Sequence, residues 1–140
     1  LFVDMPPGTG DTQLTLAQQV PVAGAVIVST PQDLALIDAR KGLKMFQNVD
    51  VPIFGIIENM SHFVCPSCGE ESHIFGNGGA RDESAKLQIP FLGAIPLHMD
   101  IRESSDKGTP IVAAEPNSPH AKAYKAVALS IATQLNKDEE

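Results

Sequence analysis

The two cysteines of the sequence stand close together, in the stretch "FVCPSCGEESHIF" over residues 63–75. Cys65 and Cys68 bracket two residues and are followed by a glycine, so both sulfurs can point at one metal ion. Zinc and iron–sulfur clusters typically take four protein ligands, of which two thiolates supply only half. The spacing therefore predicts a metal half-site at Cys65 and Cys68 that is completed by ligands from elsewhere.

Three sources could supply the missing ligands. They are the neighbouring His62 and His73, a cysteine pair in another part of the protein, or the same pair of a second subunit. The histidines are the least attractive, because such a site would have to close on itself within a short run of chain. A two-fold axis through the loop supplies four sulfurs without further sequence, and two-fold dimers are the commonest oligomers. We therefore expect a homodimer formed through the CxxC loop.

Two other uses of a CxxC pair have to be considered. A thioredoxin-like redox pair normally leads into a helix N-terminus that lowers the thiol pKa, whereas "CGEESHIF" predicts loop or strand. A purely structural zinc knuckle remains open on these residues alone.

The opening stretch "LFVDMPPGTGD" predicts a second site. An apolar strand ends at Asp4, and the chain turns through two prolines and Gly8 before a helix begins near Asp11. A carboxylate at the carboxyl end of a parallel strand lies at the edge where open α/β sheets bind ligands. There Asp4 can hold Mg²⁺ while the N–H of Gly8 faces a terminal phosphate. A rigid turn capped by Asp4 would account for the same residues.

The run "VDMPPGTGD" resembles the second nucleotide motif of the deviant-Walker P-loop ATPases, which include the MinD and ParA types. The stretches "GIIENMSHFVCPSCGEESHIFGNGGA", "LGAIPLHMDIRESSDKGTPIV" and "PNSPHAKAY" are similar to the Mrp/ApbC-type iron–sulfur carrier ATPases, so the likeness spans essentially the whole chain.

This resemblance implies a role for each candidate residue. Asp4 would help to hold Mg²⁺, Gly8 would lie at the γ-phosphate of ATP, and Asn59 would bind the adenine edge, where a carboxamide donates and accepts at once. Cys65 and Cys68 would bind a [4Fe–4S] cluster, or zinc in its place, that bridges two subunits. The cluster would be delivered to apo iron–sulfur proteins.

The sequence departs from the family pattern in one respect. The phosphate-binding loop G-x-x-x-x-G-K-[ST] does not occur in it. ATP and Mg²⁺ would therefore need a preceding N-terminal part, and these residues by themselves are not expected to hydrolyse ATP. Because the chain opens inside a strand-like run, we expect residues 1–140 to be the C-terminal part of a single P-loop ATPase domain, with the CxxC loop at about 61–78.

The elements that must position these residues follow from hydrophobic periodicity. Val- and Ile-rich runs predict strands over 1–4, 24–30, 51–60 and 91–96, and helical periodicity predicts helices over 11–20, 31–47, 79–88 and 118–135. This alternation predicts an α/β fold, a parallel sheet with flanking helices. Segments 61–78 and 97–117 lack clear periodicity and are predicted as loops. We expect only structural roles for Gly76, Gly78, Gly79, His98 and His120.

Composition narrows the choice of partners. There are 10 Lys plus Arg against 17 Asp plus Glu, which disfavours nucleic acid. The apolar runs are too short to cross a bilayer, and the acidic tail disfavours a membrane-binding terminus. The closely spaced cysteines favour a reducing cytoplasm. Two alternatives remain: a zinc-stabilised dimerisation module with an incomplete nucleotide site, and a MinD-like positioning ATPase, which would have to bind lipid.

Overall fold

The computed structural model describes residues 1–6, 8 and 10–137. Helices and strands alternate along the chain in the order α1 (Asp11–Gln19), β1 (Ala25–Ser29), α2 (Asp33–Asn48), β2 (Ile53–Glu58), β3 (Phe63–Val64), β4 (Glu71–Ser72), α3 (Gly79–Leu87), β5 (Phe91–Ala94), α4 (Met99–Asp106), α5 (Ile111–Ala114) and α6 (Pro119–Lys137). The predicted helices and three of the four predicted strands lie where periodicity indicated them.

The main sheet is parallel and has the order β1-β2-β5, so β2 is its central strand. Helices cover both faces, which is why these strands are apolar along almost their whole length. One face packs on α2 and α3 around Ile27, Leu36, Leu43 and Ile56. The other face packs on α6 through Tyr124, Val127, Ile131 and Leu135. The predicted parallel α/β fold is thus confirmed.

Close approach explains one of the glycines of "FGNGGA". A Cβ at Gly79, the first residue of α3, would lie 2.4 Å from the backbone oxygen of Pro31. The helix can meet the segment before α2 at this distance only without a side chain, which agrees with the structural role expected for this glycine.

The predicted strand over residues 1–4 is wrong. These residues have no regular secondary structure and pair with no strand among the described residues, and Phe2 is 79% exposed. A strand exists only when its backbone N–H and C=O groups find a neighbouring strand. Apolar composition alone could not reveal that the described chain offers no such neighbour here.

The two segments predicted as loops contain short regular elements. β3 and β4 form an antiparallel pair between β2 and α3, and α4 and α5 connect β5 to α6. Two-residue strands and a four-residue helix are shorter than the window in which periodicity can be detected.

No helix in the part of the chain that the structure describes has the length and apolar character needed to span a bilayer. Residues 7 and 9 of the Pro-Pro-Gly-Thr-Gly turn and residues 138–140 of the acidic tail lie outside the described residues.

Candidate metal centre and nucleotide-binding edge

The carboxyl edge of the sheet brings several candidate segments together. The N–H of Asn59, just after β2, donates to the oxygen of Ser29 at the end of β1, at 2.7 Å. The N–H of Ile95, just after β5, donates to the oxygen of Glu58 at 2.8 Å, and Ser61 donates to Ile95 at 3.0 Å. Backbone pairing thus continues past the strand ends, at the edge where open α/β sheets bind ligands.

Glu58 organises this edge, and sequence reasoning missed it. Its side chain is 2% exposed and accepts hydrogen bonds from Oγ of Ser61 at 2.6 Å and from the N–H of Ala80 in α3 at 2.9 Å. The carboxylate therefore links the end of β2 to the start of α3 and to the segment that enters the CxxC loop. A carboxylate closing the otherwise apolar strand "IFGIIE" was the available signal, because buried acids need partners.

The two cysteines lie at the tip of the β3–β4 hairpin. The N–H of Cys65 donates to the oxygen of Glu70, and the N–H of Gly69 donates to the oxygen of Cys65, both at 2.9 Å. Gly69 has φ +74°, the left-handed region that side chains disfavour, so the glycine permits this tight return. Cys65 is half-buried, Cys68 is exposed, and both are free thiols.

Hydrogen bonding prepares Cys65 for a ligand. The backbone N–H groups of Ser67 and then of Cys68 hold the pKa of the Cys65 thiol below its ordinary value, the Cys68 thiol contributes, and burial opposes them. Donors that point at a sulfur favour its charged form. The thiolate is the form that binds metals, so the loop favours the ligating state of Cys65.

The neighbouring histidines do not complete a metal site in this structure. The rings of His62 and His73 lie 6.2 Å apart, and Nε2 of His62 is 3.9 Å from Oε1 of Glu71. Within the described residues, neither cysteine belongs to a group of three or more His, Cys, Asp or Glu ligand atoms lying within 4.8 Å of one another. Over that part of the chain the two cysteines therefore stand without a third ligand beside them.

The base of the hairpin is fixed to the main sheet. The N–H of Leu97 donates to the oxygen of His62 at 2.7 Å, and Phe63 forms a parallel bridge with Leu97. The CxxC loop therefore projects from the carboxyl edge on a short support joined to the segment after β5.

Asp4 and Gly8 lie in the loop before α1. Both are exposed, and Nε2 of Gln13 donates to the oxygen of Pro6 at 3.0 Å, which ties this loop to the helix. Asp4 lines an open cleft of about 510 Å³ whose wall also includes the first residues of α1, Asp11 and Thr12. Carboxylate and hydroxyl oxygens are ligands that suit Mg²⁺.

Asn59 does not line that cleft. Its Oδ1 accepts from the N–H of Met60 at 3.0 Å. A hydrogen bond to the backbone of its own loop is the alternative to a role in adenine binding. The structure joins Cys65 and Cys68 in one loop, and it leaves Asn59 on a different segment from Asp4 and Gly8.

His98 and His120, for which the sequence indicated no shared role, are in contact with each other. Their rings stack with centroids 4.1 Å apart and planes inclined by 29°. Nδ1 of His98 accepts from the N–H of Asp100 at 3.2 Å and caps α4, while His120 lies in the first turn of α6 and is 8% exposed. Burial and then the neighbouring His98 lower the pKa of His120, and Asp100 and Glu115 partly oppose them. Residues far apart in sequence meet because α4 and α5 return the chain.

Solved structures with a similar fold include a nucleotide-binding protein and a cell division ATPase. A nucleotide-binding protein of Archaeoglobus fulgidus in complex with ADP is 40% identical, with a TM-score of 0.69, over 83% of this chain and 46% of that chain. The cell division ATPase MinD of Pyrococcus furiosus is 26% identical, with a TM-score of 0.62, over 79% of this chain and 43% of that one. The fold is that of a MinD-like P-loop NTPase.

Sequence relatives narrow this class. Residues 1–132 match the family described as "ParA: NUBPL iron-transfer P-loop NTPase". The "Iron-sulfur cluster transfer protein NUBPL" of Dictyostelium discoideum is 55% identical over 99% of this chain and 44% of its own length. The "Iron-sulfur cluster carrier protein" of Escherichia coli K12 is 54% identical over 96% of this chain and 37% of its own length. The chain belongs to this ParA/NUBPL family of P-loop NTPases and spans less than half the length of these two relatives.

Proposed function

We propose that this chain is part of an iron–sulfur cluster carrier ATPase. Cys65 and Cys68 hold half of a [4Fe–4S] cluster, the same pair of a second subunit holds the other half, and the cluster is passed to apo iron–sulfur proteins. The observation that carries the proposal is the half-site itself. Two thiols share an exposed hairpin tip, and no third ligand lies beside them in the described part of the chain.

The chemistry of the loop suits a cargo that must be bound and released. Two sulfurs per subunit are too few for a closed site, and a cluster shared across a two-fold axis is lost when the subunits separate. The backbone donors that lower the pKa of Cys65 favour the thiolate form, which is the form that binds iron. The names of the relatives, a cluster carrier and a cluster transfer protein, support the same cargo.

The residues of this chain fit part of an ATP–Mg²⁺ site. Asp4 would hold Mg²⁺, Gly8 would face the γ-phosphate and Asn59 would bind adenine. The exposed position of Asp4 in the cleft before α1 supports its share of this assignment. Hydrolysis of the bound ATP, with Mg²⁺ as its cofactor, would supply energy to the carrier. The phosphate-binding loop that cradles the phosphates is absent from the sequence and would have to come from the rest of the protein.

The proposed carrier makes no direct use of nucleic acid or membrane. We assign it to a reducing compartment such as the cytoplasm, and the two free thiols support this assignment.

Anaerobic reconstitution with iron and sulfide tests the proposal. The full-length protein should gain the broad visible absorption of a thiolate-held cluster, bind one cluster per two chains, and sediment as a dimer. Cys65→Ser and Cys68→Ser should each abolish the absorption and the cluster-dependent dimer. Transfer is then measured as activation of an apo iron–sulfur enzyme.

Two controls separate this proposal from its competitors. Ser67→Ala lies between the cysteines and leaves every backbone donor in place, so it should keep the cluster. His62→Ala together with His73→Ala should also keep it. A cluster or metal bound wholly within one subunit would overturn the proposal, and so would tight zinc without a chromophore, which indicates a zinc-stabilised dimerisation module.

A further inference from the structure

A second group of metal-ligating side chains lies apart from the cysteines. His98, Asp100 and His120 each present one ligand atom, and these atoms lie within 4.8 Å of one another. Over the described residues this is the group of three that the structure assembles from His, Cys, Asp and Glu. It joins the start of α4 to the start of α6.

His120 provides an independent sign that this group awaits a ligand. Its side chain is more than nine-tenths buried, and its Nδ1 has no hydrogen-bond partner within the described part of the chain. A buried polar atom without a partner is rare and calls for an explanation. Imidazole nitrogen is a common ligand of transition-metal ions, so a bound cation would give this buried atom the partner that it lacks.

The positions of the other two residues suit a cation. Nδ1 of His98 is 3.3 Å from Oδ2 of Asp100, whose side chain is about half exposed. Because Nδ1 already accepts from the N–H of Asp100, a cation bound at this nitrogen would replace that hydrogen bond. Zinc–nitrogen and zinc–oxygen bonds of about 2.0 to 2.2 Å require ligand atoms roughly 3 to 3.5 Å apart. Asp100 can make most of the remaining adjustment. Glu115, which also acts on His120, adds negative charge that offsets the positive ends of α4 and α6.

We propose that His98, Asp100 and His120 form a site for a divalent transition-metal ion of the Zn²⁺ or Co²⁺ type, with two imidazoles and one carboxylate as ligands and an open position for water. This ligand set suits borderline cations and differs from the all-sulfur set of the CxxC loop. The site does not depend on the cluster-carrier proposal, because it shares no ligand with it.

The test measures the binding of Zn²⁺ and Co²⁺ to the full-length Cys65→Ser/Cys68→Ser protein without nucleotide. Without its thiols, the CxxC loop does not contribute to metal binding. One equivalent should bind, and Co²⁺ should broaden the imidazole NMR signals of His98 and His120 while sparing His73. Asp100→Asn keeps the N–H that His98 accepts and the shape of the side chain. It should lower the affinity for Zn²⁺ by at least the 10- to 100-fold that is typical when a residue hydrogen-bonded to a metal ligand is lost. His120→Gln should do the same.

His73→Ala, an exposed histidine outside the group, is the matched control and should leave the affinity unchanged. Circular dichroism checks that each variant is folded, and the exposed Asp100 keeps the test decisive if His120→Gln does not fold. The proposal is overturned if the Cys65→Ser/Cys68→Ser protein binds no Zn²⁺. It is also overturned if folded Asp100→Asn binds Zn²⁺ as tightly as its parent, or if Co²⁺ broadens His73 instead.

Discussion

The residues assigned chemistry in this chain all follow strands or precede helices. Asn59 follows β2, the cysteines close the hairpin after it, and His98 caps the helix after β5. The cysteine loop is held by backbone hydrogen bonds. Asn59 and His98 instead use their side chains locally: Oδ1 of Asn59 accepts from the N–H of Met60, and Nδ1 of His98 accepts from the N–H of Asp100.

Adenine binding by Asn59 predicts a change of nucleotide preference. Asn59→Ala should lower the affinity for ATP by about 3- to 10-fold, which corresponds to the net contribution of one hydrogen bond, and should reduce the preference for ATP over GTP. Isothermal titration of the full-length protein measures both. Asp4→Asn is the contrasting variant, which should lower Mg²⁺-dependent hydrolysis and leave the base preference intact. If the ratio of the affinities for ATP and GTP is unchanged in Asn59→Ala, Asn59 does not bind adenine and only forms its hydrogen bond with Met60.

At the scale of elements, α2 and α3 are joined by an ion pair on one face of the sheet. Nε and Nη2 of Arg40 donate to the two carboxylate oxygens of Glu83, the second bond at 2.7 Å. Glu83 is 3% exposed, whereas the Arg40 side chain is half exposed. A two-bond geometry of this kind gives direction as well as attraction. It holds α3, and thus the N–H that Glu58 accepts, against the sheet.

This pair predicts an acid-dependent part of the stability. The hydrogen bonds from Arg40 lower the pKa of Glu83 from its ordinary 4.5, against the effect of burial. Because the folded pKa is below the unfolded one, the unfolded chain binds the proton more readily. The stabilisation is therefore present above pH 4.5 and is lost as the pH falls through the folded pKa.

Urea unfolding at neutral pH and near pH 4 measures this effect. Glu83→Gln should lower the neutral-pH midpoint and flatten its acid dependence. Asp82→Asn, on the same helix but exposed, should change neither by much. A Glu83→Gln protein that keeps the full acid dependence would show that other carboxylates cause it.

At the scale of the whole molecule, the central strand carries the packing. Ile56 is 1% exposed and lies in the core between the sheet and helices α2 and α3. Phe54, two positions earlier on the strand, belongs to the core on the α6 face. β2 thus packs against helices on both faces of the sheet. This packing fixes the position of the loops at its carboxyl end.

Truncation of this core should be costly. Ile56→Ala is expected to lower the free energy of unfolding by about 2 to 5 kcal/mol, the sum of lost burial and a cavity. Leu129→Ala on α6 is the matched control, because Leu129 is 70% exposed and should cost less than about 0.5 kcal/mol. Denaturant midpoints of the metal-free protein measure both. Equal losses would mean that β2 does not carry the core.

The sequence by itself determined the parallel α/β fold, the helices α1, α2, α3 and α6, and the position of two thiols in one loop, for which a metal half-site stays a prediction. These depend on local properties: long apolar periods and the spacing of two thiols along a few residues. Periodicity placed β1, β2 and β5 because burial on both faces leaves a continuous apolar run.

Only the tertiary structure decided which separated residues meet. It left residues 1–4 without a partner strand in the described part of the chain, turned Glu58 into a shared acceptor for Ser61 and Ala80, and stacked His98 on His120. The bond from Ala80 to Glu58 joins positions 22 residues apart through a chain reversal. Such contacts leave no period in the sequence, because they depend on where the intervening elements return the chain.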